Sequence, residues 1–209
     1  TGINEVQKYL YNLDKDENWY GMYLELLKNL YEELGYDFYF QKTPTVRVHC
    51  PNAKGSEHYP MYHSDIILGH PPQEINVWLS LTDNKNTGFF ILDYDDSIDY
   101  FKKYSNDELT NLALNDKEGY NQDCHKLAEE VESTIDYAFL FDSYRIHSGM
   151  PRDEDTRVSI DIRINPVEKF VHGFVGSGKQ KAEYWPGGKF GYHEKSIKEL
   201  NTIKIINNE

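Results

Sequence analysis

The sequence predicts a mostly-β fold, a barrel or jelly roll with α-helices packed outside it. Three observations predict it. One strongly amphipathic helix stands near the start, a series of short segments with period-two alternation follows, and no internal repeat or linker divides the 209 residues. The length suits one domain with a sizeable core: a helical part over about residues 1–35, a β core over about 37–166 and an extension over about 167–209.

The helix is read from Asn18 as its N-cap, with Trp19, Met22, Tyr23, Leu26, Leu27, Leu30, Tyr31 and Leu34 at helical spacing and Gly35 as the stop. Strands follow. Val46 and Val48 alternate with Arg47 and His49, and Ile75, Val77, Leu79 and Leu81 with Asn76, Trp78 and Ser80. Gly88 to Leu92, Tyr137 to Phe141 and Arg157 to Ile164 continue the series, the last strictly alternating Val158, Ile160, Ile162 and Ile164 with Arg157, Ser159, Asp161 and Arg163. Ser97 to Tyr104 and Cys124 to Ser133 read as helical, and the polar Ser105 to Gln122 between them as a lid or rim. A Gly- and Lys-rich tail from Gly173 carries a weak closing helix near Glu194 to Leu200.

A net charge of −13 and a pI near 5.0 argue against a nucleic-acid or anionic-membrane partner. A small-molecule substrate, even an anionic one, is still compatible, because a few arginines can dominate the potential of one cleft. Cys50 and Cys124 have neither metal-type nor redox-type spacing, and two cysteines cannot build a disulfide scaffold, so a cytoplasmic setting is expected. No run of eighteen apolar residues occurs, and Thr1 to Leu13 lacks the cationic-then-apolar order of a signal peptide. An opening Thr in place of Met admits a trimmed start.

His63 and Asp65 stand two apart in Tyr62 to Leu68, a segment read as extended, so both side chains share a face on which imidazole and carboxylate can converge on one cation. With 8 histidines and 35 acidic residues in the chain, such a triplet alone carries little weight. His147 is the third ligand candidate, at the end of an apolar strand and ahead of Gly149 and Pro151. Two histidines and one carboxylate leave several positions open on a metal, which suits Fe(II) binding a chelating co-substrate and then O2. Zinc favours the same donors, so the argument for iron comes from Arg157 and Ser159, ten and twelve residues further on and facing the same way. A guanidinium and a hydroxyl together fit the distal carboxylate of a small diacid.

In this order and residue type, His63-Ser64-Asp65, His147 and Arg157-Val158-Ser159 resemble the Fe(II)/2-oxoglutarate-dependent oxygenases, whose pattern is His-x-Asp, a distal His and Arg-x-Ser. Gly69 to Leu79 and Arg145-Ile146-His147-Ser148-Gly149 look like the phytanoyl-hydroxylase-like branch, especially oxygenases of streptomycin-type aminoglycoside biosynthesis. The resemblance covers roughly Thr43 to Pro166. It implies a double-stranded β-helix (jelly roll, cupin-like) core with flanking α-helices. It also implies an iron site of His63, Asp65 and His147, 2-oxoglutarate held by Arg157 and Ser159, and oxidation of a small polar metabolite, such as a sugar or aminocyclitol, with release of succinate and CO2.

Asn76 and Trp78 share one strand face; Asn76 is a candidate for co-substrate contact and Trp78 for substrate contact or packing. Arg47 and Arg163 are candidate contacts to a substrate carboxylate or phosphate or else surface ion pairs, the ion pair being favoured for Arg163; Arg145 is a candidate substrate contact, alternatively being satisfied by Asp142. His49, His58, His70, His125, His172 and His193 lack partners at ligand spacing, His58 and His70 flanking the motif as rim residues. Tyr59, Tyr62 and Tyr184 to Gly188 are candidates for an aromatic rim, and the two cysteines read as fillers. Two rival functions share the pattern: a metal-dependent cupin-like isomerase or hydrolase, and a non-catalytic carbohydrate-binding jelly roll in which the three ligand candidates are unrelated.

Overall fold

A computed structural model describes residues 16–49, 62–115, 119–135, 137–149, 156–169 and 191–206. The readings placed on Thr1 to Leu13, Cys50, His58, Tyr59, Pro151, His172 and Tyr184 to Gly188 lie outside these residues.

Helix α1 spans Glu17–Leu34 and is capped by Asp16 rather than Asn18. The Asp16 carboxylate accepts the N–H groups of Asn18 (2.9 Å) and Trp19 (3.1 Å), placing full negative charge at the positive end of the helix dipole, where a neutral amide would do less. Gly35 ends the helix at φ 70°, its N–H reaching Tyr31 O.

Strands β1 (Phe38–Phe40) and β2 (Thr45–His49) lie end to end along one edge of β8 (Arg157–Pro166). The other edge of β8 pairs with β3 (Ile75–Ser80), which in turn pairs with β6 (Ala138–Asp142). Every pairing in this five-stranded sheet is antiparallel. The alternation in β8 sorts its side chains as the sequence predicts. Ile160, Ile162 and Ile164, with Val77 of β3, pack against Tyr23 and Leu27 of α1 and Ile197 of the closing helix α5 (Ile197–Ile206). Each such buried aliphatic side chain contributes about 1.5–3 kcal/mol, which fixes the face that Arg157, Ser159, Asp161 and Arg163 must take.

A second antiparallel sheet runs β5 (Glu129–Ser133), β4 (Asn84–Ile91), β7 (His147–Ser148), and a bridge from His147 to His63 continues it. Trp78 and Phe141 of the first sheet meet Phe89 and Ile91 of the second in one apolar cluster, so the two sheets face each other. Among the described residues neither sheet closes into a barrel. None of the described helices is long and apolar enough to cross a membrane.

Three readings are corrected. Cys124 to Ser133 divides between helix α4 (Tyr120–Leu127) and strand β5; pairing of Val131 with Phe89 overrides the helical propensity of the glutamates. Ser105 to Gln122 contains helix α3 (Asn106–Asn115), which buries Leu109, Leu112 and Ala113 alongside Tyr62, Ile66 and Ile67. Its start is a capping box missed in the sequence: Ser105 N–H donates to the Glu108 carboxylate, and Glu108 N–H to Ser105 Oγ. Helix α2, placed at Ser97 to Tyr104, begins earlier (Tyr94–Lys103), capped by Asp93.

Candidate metal centre and its cavity

His63 is set by backbone pairing. Its N–H donates to His147 O at 3.0 Å and its carbonyl accepts from His147 N at 2.8 Å, so two distant segments present their imidazoles side by side, ring centroids 4.6 Å apart. Asp65 arrives differently from the extended reading. It opens a short 3-10 turn, Asp65–Leu68, ended by Gly69 at φ 99°, and the turn carries its carboxylate to the same point. One donor atom from each of His63, Asp65 and His147 lies within 4.8 Å of the others.

The donors are oriented for a cation. His147 Nδ1 donates to Arg145 O at 3.0 Å, leaving Nε2 as the nitrogen able to ligate a metal. Burial holds the His147 ring below the usual imidazole pKa, against the pull of Asp65, which favours the neutral form that a metal requires. Burial opposes ionisation of Asp65, but Arg163 and the imidazoles of His70, His147 and His63 outweigh it and hold the carboxyl well below the usual carboxylate range.

The cavity that these residues line is also walled by Arg47, His49, Asn76, Trp78, Arg157 and Arg163. Arg157 is 2% exposed. It donates to Gly88 O and to His49 Nδ1, and its guanidinium carbon stands 5.9 Å from the Trp78 ring centroid. Burial lowers its pKa to about 10, which leaves it cationic at neutral pH. His49 is held at about 3 by burial and by Arg157 and Arg47, so a neutral ring accepts from a cation.

The remaining candidates divide. Asn76 gives its amide to Asp65 Oδ2 at 2.8 Å. Trp78 packs edge-on against Phe89, centroids 5.0 Å apart. Arg47 pairs with Asp161 on the cavity wall. Ser159 is fully buried between Arg157 and Asp161 on the strand face, its hydroxyl without a hydrogen-bond partner among the described residues; it does not line the cavity. Arg145 does not line it either: β7 begins only at His147, and the turn before it sends the Arg145 guanidinium to Leu92 O rather than to Asp142 or the cavity.

Two residues read as peripheral are central. Arg163 is buried, 3.5 Å from Asp65 and 3.3 Å from Glu74, not a surface ion pair. His70 is 1% exposed and donates from Nδ1 to Glu74 at 2.6 Å, so it is not a rim residue. The four-residue spacing of His70 and Glu74 was the available signal. Asp65, His70 and Glu74 also cluster at ligand distances, but Glu74 already serves His70, Arg163 and Tyr192, and the guanidinium there would repel a cation.

No protein-family model and no curated protein matches the chain. Among solved structures it is similar to a non-heme monooxygenase in complex with nickel, at 16% identity over 68% of this chain and 49% of that one, with a TM-score of 0.39. It is also similar to an N-substituted L-amino acid dioxygenase from Burkholderia ambifaria, at 15% identity over 56% and 47%, with a TM-score of 0.34. The chain spans about half the length of these structures. The geometry of the site, not these likenesses, carries the functional reading.

Proposed function

We propose that the chain is a non-haem Fe(II), 2-oxoglutarate-dependent dioxygenase that oxidises a small polar metabolite. The observation that carries this reading is one cavity holding both a His63, Asp65, His147 donor set within 4.8 Å and a buried, cationic Arg157. A hydrolase or isomerase needs the first and has no use for the second.

The residues fit the metal. Two imidazoles and one carboxylate form a set of three donors that leaves further positions for exchangeable ligands, and the second oxygen of Asp65 is occupied by Asn76. Iron bound there, with 2-oxoglutarate and O2, would supply the oxidant, releasing succinate and CO2.

The chain's own part is binding and orientation. Arg157 would receive the distal carboxylate in bidentate fashion, with Trp78 flanking the guanidinium. Arg47, on the same cavity wall, would meet an anionic or hydroxylated substrate, and Asp161 a cationic one. The strand orders β1/β2-β8-β3-β6 and β5-β4-β7-His63 support a jelly roll built from two facing sheets. A placement in the phytanoyl-hydroxylase-like branch, and a sugar or aminocyclitol substrate, rest on the sequence resemblance alone.

The test is anaerobic addition of Fe(II) and then 2-oxoglutarate. A weak visible charge-transfer band that is absent in His63→Ala and Asp65→Ala is the expected result. Stoichiometric iron binding with no band would overturn the reading in favour of a metal-dependent cupin-like enzyme.

A further inference from the structure

Asp65 is the one carboxylate of the proposed metal site, and both donors on it reach the same oxygen. Asn76 Nδ2 lies 2.8 Å and Arg163 Nη2 3.5 Å from Oδ2, which leaves Oδ1 for a cation. Arg163 is itself paired by charge: its Nε stands 3.3 Å from Glu74 Oε1, an ion pair. Glu74 is fixed in turn, with His70 Nδ1 at 2.6 Å from Oε1 and the Tyr192 hydroxyl donating to Oε2. All six residues are at most 6% exposed.

We propose that Arg163, Glu74 and Tyr192 form a positioning chain that keeps Asp65 a one-oxygen ligand and sets the affinity and geometry of the metal. The inference rests on the metal reading of His63, Asp65 and His147. Two physical points carry it. A charged cluster in a dry interior is costly unless every charge is paired and hydrogen-bonded, and packed apolar residues would serve stability at least as well. Outer partners of metal ligands, by contrast, commonly change metal affinity by about 10- to 100-fold. The chain also reaches across the fold. Tyr192 comes from the C-terminal segment, whose backbone is tied beside β1 by Lys42 N–H to Gly191 O and His193 N–H to Phe40 O, so that segment contributes to a metal site with which it shares no ligand.

The test uses Co(II), whose visible bands report coordination number, titrated into the full chain without 2-oxoglutarate. Arg163→Gln should weaken Co(II) binding by about 10-fold or more and change band intensity as Oδ2, left with Asn76 as its donor, becomes more available to the metal. Arg163→Lys should recover part of both, and Tyr192→Phe should shift both in the direction of Arg163→Gln. Where Arg163→Gln does not fold, Arg163→Lys and Tyr192→Phe decide. Folded variants with wild-type affinity and spectrum, alongside a His63→Ala control that no longer binds Co(II), would overturn the positioning chain and leave the metal reading standing. Co(II) binding that survives in His63→Ala would overturn the metal reading and the positioning chain with it.

Discussion

His63 and His147, 84 positions apart in the chain, exchange both backbone hydrogen bonds, N to O distances being 3.0 and 2.8 Å. The bridge belongs to the backbone and the metal donors to the side chains, so the two roles separate. His63→Ala and His147→Ala should therefore leave the apo protein within about 1 kcal/mol of wild-type stability while abolishing stoichiometric metal binding. Thermal unfolding with and without added Co(II) checks this: the metal should raise the midpoint of the wild type only.

Arg157 sits in the same cavity as the donor set but is separate from it, so its substitution should cost the co-substrate and spare the metal. Arg157→Ala should raise the 2-oxoglutarate Kd by about 30- to 100-fold, the value of charge-assisted hydrogen bonds to a carboxylate. Arg157→Lys should fall between, because a point charge cannot reproduce the fork. Titration of the charge-transfer band at fixed Fe(II) measures both, and unchanged 2-oxoglutarate affinity in Arg157→Ala would exclude the assigned role.

Gly88 lies where β4 meets β5 and a register shift interrupts the pairing. A Cβ there would fall 1.6 Å from Val131 O and 2.7 Å from Val131 C, and backbone cannot yield as a side-chain tip would. The Gly88 carbonyl also accepts from Arg157. Gly88→Ala should thus destabilise by at least about 2–3 kcal/mol, seen as a lower midpoint in chemical denaturation, and should weaken 2-oxoglutarate binding in the fraction that folds.

Much of this was legible in the sequence for a simple reason. Period-two alternation in β8 assigns Arg157, Ser159, Asp161 and Arg163 to one face because the isoleucines between them have to be buried. Side chains held by local geometry were not legible. Arg145 shares spacing with His147 but not its conformation, since the turn after β6 ends only where β7 starts. His49 and His70 looked isolated because their partners, Arg157 and Glu74, are defined by strand pairing and by burial rather than by ligand spacing. Tyr192 lies 118 residues from Glu74, and no local pattern announces such a contact.

His49 supplies a pH dependence of definite sign. Its folded pKa is held at about 3 against an ordinary 6.5, first by burial and then by Arg157 and Arg47, with Asp161 opposing. Between those values the unfolded chain binds a proton that the folded chain excludes, so stability rises with pH there and falls on acidification. The contribution is complete above about pH 6.5 and shrinks as the pH drops toward 3. The ring is partly exposed, and over the interval from pH 7 to pH 5 the loss should be about 1–2 kcal/mol. His49→Asn keeps an acceptor for Arg157 and removes the titration. Denaturant unfolding at pH 7 and pH 5 should therefore show a smaller difference for the variant than for the wild type, and equal differences would exclude His49 as the source.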